Sequence, residues 1–457
     1  MTPRHDEIAL FHRNFPMKFG VHRVEINPPF PLPMGGYDAR LDCFDGIHDP
    51  LTFTAVYLND GQREAWIGSA DLCQFPDDPF FEEGVGRIAK SLNCRPEAIF
   101  LNASHTHGGP LTRPEPGVEN RRSFIRHSDG YKELILIYLD EVWRNITAAM
   151  SASRDRAFSG TLHYTETTTD LPINRRKMTE GKVALAPDPD GPIDGRLRIF
   201  AIRDSAGVLK ALLPILACHP TSTGAQHLLT ADYVGAWRAA IETQLNHAVP
   251  MAFLQACAGD ARPAFTVEGD HWRTVGLHEL PKLVEPLCVE TMSAIHGAWN
   301  DCGPLKLSFG VRSMDLPCQS TYATRPSLET LRDGSEWEVD YMNAGLNLLN
   351  KGQAIADKVP FRLQALQLNE QYSLFGMNCE PLCGLGRAIE AAFRPHNAMV
   401  LGYTGGCSCY VPNDEELPRG GYETESYLWI PSTGPFKSGI NQRFIDAYRM
   451  LRQQFSS

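Results

Sequence analysis

The stretch LTFTAVYLNDGQREAWIGSAD (51–71), followed by EAIFLNASHTHGGP (97–110), decides how this chain is read. LTFTAVYL (51–58) and EAWIGSAD (64–71) carry the β-branched and aromatic pattern of strands, and EAIFLNAS (97–104) is a third such run. The third delivers His105 and His107 just past its end. Three further segments repeat the arrangement: ILACHPTS (215–222) leads to His219, FGMNCEPLCG (375–384) to Glu380 and GYTGGCSCYVP (402–412) to Tyr410. A rigid sheet fixes the start of each loop while the loop stays free to vary, so functional residues at strand ends are expected of mixed α/β folds. Together the five side chains offer nitrogen and oxygen donors enough for one zinc-centred hydrolytic site.

Outward from these segments the pattern stays α/β. Periodicity predicts an amphipathic helix over about 131–153, and LRIFAIRDSAGVLKALLPILAC (197–218) predicts a hairpin turning at Asp204 to Gly207. A helix over 232–247, a buried strand MAFLQACA (251–258) and helix over 279–299 follow. Residues 318–359 are rich in turns, charges and short helical pieces, which marks an insertion or cap. FRLQALQL (361–368) and YSLFGMNC (372–379) predict a second hairpin, then come a helix at 385–394, the strand AMVLGY (398–403), a long polar loop and a closing helix. Mixed sheets with flanking helices and a metal site at strand ends are the expected architecture. With no repeat, low-complexity tract or flexible linker, one domain over 1–457 is expected.

Composition narrows the function classes. At 457 residues and 43% apolar the chain can bury a large core, and a net charge of -11 with no basic block argues against nucleic acid as a partner. MTPRHDEIALFHRNFP lacks the charged-then-apolar pattern of a leader, and no later run approaches the length of a membrane span. A soluble, cytoplasmic protein with a small-molecule substrate and no stable membrane association is expected, with homo-oligomerisation left open. Twelve cysteines are read as reduced thiols, because a chain this long needs no disulfide framework. Cys379, Cys383, Cys407 and Cys409 form a CxxxC and a CxC that would make a second metal site if the fold gathered them; the competing reading is small buried thiols beside a glycine-rich site.

The candidate residues differ in specificity. On an extended backbone His105 and His107 turn their rings to one face, one reaching the metal and the other the substrate or a carboxylate. Ordinary surface histidines would fit an isolated HxH, but Gly108, Gly109, Pro110 and the other donor segments weigh against that. His219 alone would also suit a histidine hydrogen-bonded at a helix start. Glu380 is sharper, since a carboxylate closing an apolar strand is costly to bury without a cation or donors. Asp71, Asp232 and Asp260 are assigned to supporting bonds with histidines or backbone amides. The glycine pairs 35–36, 108–109, 405–406 and 420–421 suggest close backbone approach around a ligand.

Taken with GGYD (35–38), GIHDPL (46–51), NRR (174–176) and the AGD (258–260) before Arg262, these segments resemble the catalytic domain of the neutral and alkaline non-lysosomal ceramidases, in order from about residue 20 to about residue 430. The resemblance implies one catalytic zinc ion held by His105, His219, Glu380 and Tyr410, with His107, Arg175 and Tyr422 as further site residues. The chain departs where ceramidases carry the serine of GDxSP: here the residues are Gly259, Asp260, Ala261, Arg262 and Pro263. A guanidinium neither replaces a serine nucleophile nor acts as a base near neutral pH. It suits a carboxylate, phosphate or polyol oxygen of a substrate, or else a structural salt bridge with Asp260 or another acid. Ending at 457, the chain is expected to lack the family's additional C-terminal domain.

The resulting expectation is a zinc-dependent hydrolase in which metal-bound water attacks an amide or related acyl carbon of a small polar or anionic substrate. Tyr422 and His107 stabilise the oxyanion, while Arg175 and Arg262 hold substrate. A lactonase, esterase or glycoside hydrolase on the same scaffold, and a non-catalytic ligand-binding protein, are the alternatives. The loop 405–427 is expected to form a substrate-side rim that turns Tyr410 and Tyr422 inward while Asp414, Glu415 and Glu416 face solvent.

Overall fold

The computed structural model describes residues 17–37, 40, 42–114, 130–429 and 433–455. The run 51–71 folds as an antiparallel pair, Thr52–Asn59 against Glu64–Ala70, with Val56 opposite Ile67. The Asp60 carboxylate closes the turn by accepting from the N–H groups of Gln62 and Arg63 at 2.8 and 2.7 Å. Alternation then sends Phe53, Ala55 and Tyr57 to one face of the sheet and Val56 and Leu58 to the other.

The pair sits in a nine-stranded sheet. Eight of its strands run in the order Leu254–Gln255, Leu209–Leu216, Arg196–Asp204, Phe158–Thr168, Lys18–Glu25, Thr52–Asn59, Glu64–Ala70 and Ile99–Ala103, and Asn300–Asp301 adds to Phe158–Thr168. Only the strands at the two ends, Ile99–Ala103 and Leu254–Gln255, join their neighbours in parallel. A second sheet holds Ser308–Pro317, Lys358–Gln367, Tyr372–Met377 and Asn397–Leu401.

Between the sheets lies a shared core that includes Phe19, Val56, Phe100, Ile215, Leu254, Leu374 and Leu401. On the far side of the large sheet, the helix Gly130–Asp155 buries Ile135, Leu139, Val142 and Ile146 among Phe53, Ala55 and Trp66. Each such aliphatic residue removed from water contributes about 1.5–3 kcal/mol, so this face fixes the sheet firmly. The helix Asp232–Gln244 packs Tyr233, Trp237 and Ile241 against Leu197, Ile199 and Leu212.

Mixed sheets with flanking helices are therefore the architecture, as the sequence predicts. One departure and one excursion are instructive. MAFLQACA (251–258) forms regular strand only at Leu254–Gln255, because the chain there pairs by turns with Leu216 and Leu401. Residues 318–359 leave from Ser308–Pro317 and return to Lys358–Gln367, its antiparallel partner, through two short helices, Arg325–Glu329 and Glu336–Asn350. Thr324 and Ser335 cap them, and Leu328, Leu331, Tyr341 and Met342 form a small separate core with Leu428. Among the described residues no helix is long and apolar enough to cross a membrane.

Candidate metal centre

The ends of both sheets deliver three donor atoms to one point. His105 follows the edge strand Ile99–Ala103, His219 follows Leu209–Leu216, and Glu380 follows Tyr372–Met377. Glu380 Oε2 lies 3.2 Å from His105 Nε2 and 3.1 Å from His219 Nε2, and both histidines are buried. Backbone carbonyls hold each imidazole from behind. His105 Nδ1 donates to the Cys73 carbonyl at 2.7 Å and His219 Nδ1 to the Ala258 carbonyl at 2.6 Å, which leaves both Nε2 atoms facing Glu380.

Tyr410 joins them through strand pairing. Glu380–Pro381 and Tyr410–Val411 are parallel partners, so Glu380 and Tyr410 stand side by side. The Tyr410 ring stacks on His219 with centroids 6.4 Å apart. His107 Nε2 lies 3.2 Å from His105 Nε2, and its ring packs edge-on against Tyr37. The structure thus brings all five strand-end residues together. Its way of doing so differs from the extended HxH expected: His105 has a left-handed backbone (φ 63°), as do Tyr403 (φ 53°), whose ring covers that of His105, and Asp232 (φ 55°). Such conformations cost roughly 1–3 kcal/mol each and persist only where the surroundings hold them.

Electrostatics favour a cation. Burial opposes charge on His105, yet the Glu380 carboxylate and the Cys73 thiol outweigh it and push the imidazole up to about 10. Glu380 is held well below the usual carboxylate range by His105 and His219 despite its burial. His219 falls to about 4 through burial and the charge of Arg175, and His107 falls well below its ordinary value through burial and its histidine neighbours. The protein alone gathers one proton at His105. Two imidazoles, a carboxylate and an adjacent phenol are a donor set that suits a divalent cation in place of that proton.

Beyond the donors stands a ring of polar side chains. Arg175 hydrogen-bonds Tyr410 and places its guanidinium carbon 5.3 Å from the Tyr410 ring centroid and 5.8 Å from that of Tyr422. Its Nε donates to Glu423 at 2.8 Å, and Arg176 Nε donates to Glu416 at 2.9 Å. Tyr422 is 44% exposed and lies at the rim. Arg262 donates to the Thr221 carbonyl at 3.2 Å and stacks over Trp272 at 4.5 Å. It forms no ion pair with Asp260 or any other acid among the described residues. Among the described residues, His107 Nδ1, Arg175 Nη2, Arg262 Nε, Thr221 Oγ1 and the Tyr403 hydroxyl are buried without a hydrogen-bond partner. Five such atoms around one cluster are more than a satisfied interior leaves.

Among the described residues the supporting aspartates make no hydrogen bond to the site histidines. Asp232 accepts from the N–H groups of Ser222 and Thr223, just past His219, and Asp71 accepts from Thr52 and pairs with Arg238. Asp260 accepts from the N–H and thiol of Cys383, and burial raises its carboxyl to about 6.

Two expectations are corrected, and of the two readings left open for the cysteines one falls away. Glu416 is buried on Arg176, and Asp414 accepts from the N–H groups of Gly439, Ile440 and Asn441, so only Glu415 of the three acids faces solvent. Among the described residues the four cysteines 379, 383, 407 and 409 do not gather as metal ligands; the sulfur of Cys383 turns to Asp260 and the Pro192 carbonyl. Of the glycine pairs, Gly36 presses on the site, where a Cβ would overlap the His107 ring, whereas Gly405 meets Phe81 and Gly421 meets Val183.

Sequence reasoning missed Tyr37, Cys73, Tyr403, Glu423 and Trp272. Tyr37 sits inside the quoted GGYD and Glu423 directly follows Tyr422, which is where a signal lay.

No protein-family model matches the chain, and no curated protein matches it. Among solved structures it is similar to the neutral ceramidase of Pseudomonas aeruginosa, with a TM-score of 0.70 at 17% identity over 96% of this chain and 75% of that one. It is likewise similar to a ceramidase complexed with C2, with a TM-score of 0.71 at 18% identity over 96% and 76%. The likeness shows the fold: this chain has the architecture of the neutral ceramidases, and the resemblance carried by its motifs holds at that level.

Proposed function

We propose that this protein is a zinc-dependent hydrolase, an amidohydrolase that cleaves an amide or related acyl bond in a small polar or anionic substrate. The observation that carries the metal-dependent part is the convergence of His105 Nε2, His219 Nε2 and Glu380 Oε2, with both Nδ1 atoms already committed to backbone carbonyls. His105, His219, Glu380 and Tyr410 would hold the ion. Zinc bound there supplies a polarised substrate carbonyl and a water whose pKa is drawn towards neutrality.

The rest falls to the chain's own residues. Hydrolysis bonds the water oxygen to the acyl carbon, breaks the acyl C–N bond and gives a proton to the departing nitrogen. His107, beside His105 and buried in neutral form, and Tyr410 are the groups placed to move that proton. The Tyr422 hydroxyl, at the rim above Arg175, donates to the oxygen that gains charge. Arg175 steadies both tyrosines.

The anionic part rests on Arg262. A half-buried guanidinium with one carbonyl partner, an aromatic face and no acid is a site for a substrate carboxylate or phosphate. Free thiols throughout, all twelve cysteines, support a cytoplasmic setting. Purified protein should carry one zinc per chain and lose hydrolysis of N-acyl substrates on exhaustive chelation, with recovery on adding zinc. Protein without stoichiometric metal, or fully active after chelation, would refute the reading. Activity confined to the lactone, ester or glycoside members of a substrate panel would move it to those classes.

A further inference from the structure

The edge strand that carries His105 and the edge strand that leads to Ala258 belong to opposite ends of the large sheet, yet they meet. One side chain joins them. Asn102 is fully buried, and its Oδ1 accepts from the Gln255 N–H at 2.7 Å while Nδ2 donates to the Gly402 carbonyl at 2.8 Å and to Thr404 Oγ1 at 3.2 Å, with Gln255 O at 3.4 Å. The amide thus acts as a peptide group inserted between edges that lack a regular ladder.

Each segment it ties leads to a different part of the metal centre. Three residues beyond Asn102 is His105. Three beyond Gln255 is Ala258, whose carbonyl orients His219. Next to Gly402 is Tyr403, whose ring covers His105, whose carbonyl accepts from the Ala103 N–H at 3.0 Å and whose N–H donates to the Cys379 carbonyl at 3.0 Å, just before Glu380. Asn102 itself touches none of the donors.

We propose that Asn102 is the positioning residue of the metal centre: its carboxamide sets the spacing of three chain segments so that His105, His219 and Glu380 meet at hydrogen-bonding distance. This rests on the reading of those three residues as a cation site. Both ends of the amide are needed. Asn102→Asp keeps the shape and the acceptor for Gln255 but turns the donor facing the Gly402 carbonyl into an acceptor, which pushes the second sheet from the first.

Asn369 provides the control. It too is buried, donates to a carbonyl (Cys302, 2.7 Å) and accepts two backbone N–H groups, but in the turn between Lys358–Gln367 and Tyr372–Met377, at the strand end away from Glu380. Zinc affinity by chelator competition, the visible spectrum of the cobalt(II) form and the unfolding midpoint would be compared for N102D, N102S and N369D. Both Asp variants should unfold more easily; only N102D and N102S should lose zinc affinity, by about 10- to 100-fold as for other residues that orient ligands, with an altered cobalt spectrum. Native zinc affinity in both Asn102 variants, or an equal loss in N369D, would overturn the assignment. A crystal structure of N102D gives a test free of metal: the 3.2 Å separation of His105 Nε2 and Glu380 Oε2 should widen. An unchanged separation defeats the role of Asn102, whereas native protein that binds no zinc defeats the hydrolase reading.

Discussion

Two groups of wholly or partly buried arginines in this protein are built in opposite ways. Beside a cavity lined by Thr168, Arg387 and Arg394, Arg196 donates to Asp194 and Glu390 at 2.6 Å each, and Arg198 donates to the same two acids at 3.2 and 2.5 Å. Despite burial, Glu390 and Asp194 hold Arg198 above its ordinary value. Around the histidines Arg175 and Arg176 are likewise paired, with Glu423 and Glu416, but two arginines reverse the pattern. Arg40 is 2% exposed, donates to the carbonyls of Gly35, His107 and Gly224 and lies over the Tyr37 ring at 5.3 Å, and Arg262 reaches one carbonyl and an indole face. Burial pushes Arg40 down to about 10 and Arg262 down as well. Among the described residues neither has a carboxylate partner.

The difference teaches what each group is for. A buried cation without an acid costs several kcal/mol, which a structural network avoids by supplying the acid from its own chain. The paired group is closed and holds the fold. Under the proposed function, Arg262 leaves its charge to be met by the substrate.

The strongest way to break this contrast is to remove one carboxylate from the arginine network and one from the histidine cluster beside the unpaired arginines. Glu380→Ala, like His105→Ala and His219→Ala, should lose stoichiometric metal and nearly all turnover. His107→Ala should keep the metal and lower the rate. Glu390→Ala should keep metal while losing about 3–5 kcal/mol of stability, because it leaves Arg196 and Arg198 under-paired in the interior. Metal analysis with denaturant unfolding separates the outcomes; metal loss in the Glu390 variant would erase the distinction. Next in size, Tyr422→Phe should cost about 10²-fold in kcat with stability unchanged, as for the loss of one oxyanion donor. An unaltered rate removes Tyr422 from the chemistry.

The comparison also explains what was legible in the sequence. Apolar strands that stop on His219 or Glu380 announce themselves, because a polar group at the end of a buried run needs a reason to be there. Hairpins such as 197–218 announce themselves by period and turn residues. The carbonyls of Cys73 and Ala258 that orient the histidines have no side-chain signal at all. Tyr403 is hidden as the last residue of AMVLGY, where nothing predicts its left-handed backbone. The strand Lys18–Glu25 sits in mid-sheet, yet its outer residues are only half-buried and its KFGVHRVE reads as polar. Glu416 looks like a solvent acid because its partner, Arg176, lies 240 residues away. Pairings of that range are created by the fold.

A smaller effect sharpens the contrast from the unpaired side. Arg262→Ser should raise KM for the true substrate by an amount equivalent to about 1.5–3 kcal/mol, the range of a hydrogen bond to a charged group, with kcat little changed. It should create no strong ceramidase activity, since a serine alone does not rebuild the apolar approach a ceramide needs. Stability should hold or rise, because a half-buried guanidinium without an acid is removed. A fall in stability with KM unchanged would place Arg262 with Arg196 and Arg198 as part of the scaffold.

The smallest effect tests whether acids on the loop 405–427 belong to the site or to the frame. Asp414 reaches across to the start of the helix Ile440–Gln453, where its two oxygens accept from the N–H groups of Gly439, Ile440 and Asn441 at 2.6, 3.0 and 3.0 Å. The first N–H groups of a helix have no partner within it, and a carboxylate there satisfies them and meets the positive end of the helix dipole. Gly439, the residue at the cap position, has no side chain to do so. Asp414→Ala should therefore cost about 1 kcal/mol of stability, the usual value of a lost cap, and leave turnover and KM unchanged. Glu415→Gln, on an exposed carboxylate bonded to Asn413, should change stability by less than about 0.5 kcal/mol. The two are neighbours with the same charge, so a repulsion from an anionic substrate would move both alike. A common change in KM would show that the loop's charge shapes substrate entry, whereas a stability loss confined to Asp414 assigns this acid to the frame that holds Tyr410 and Tyr422 in place.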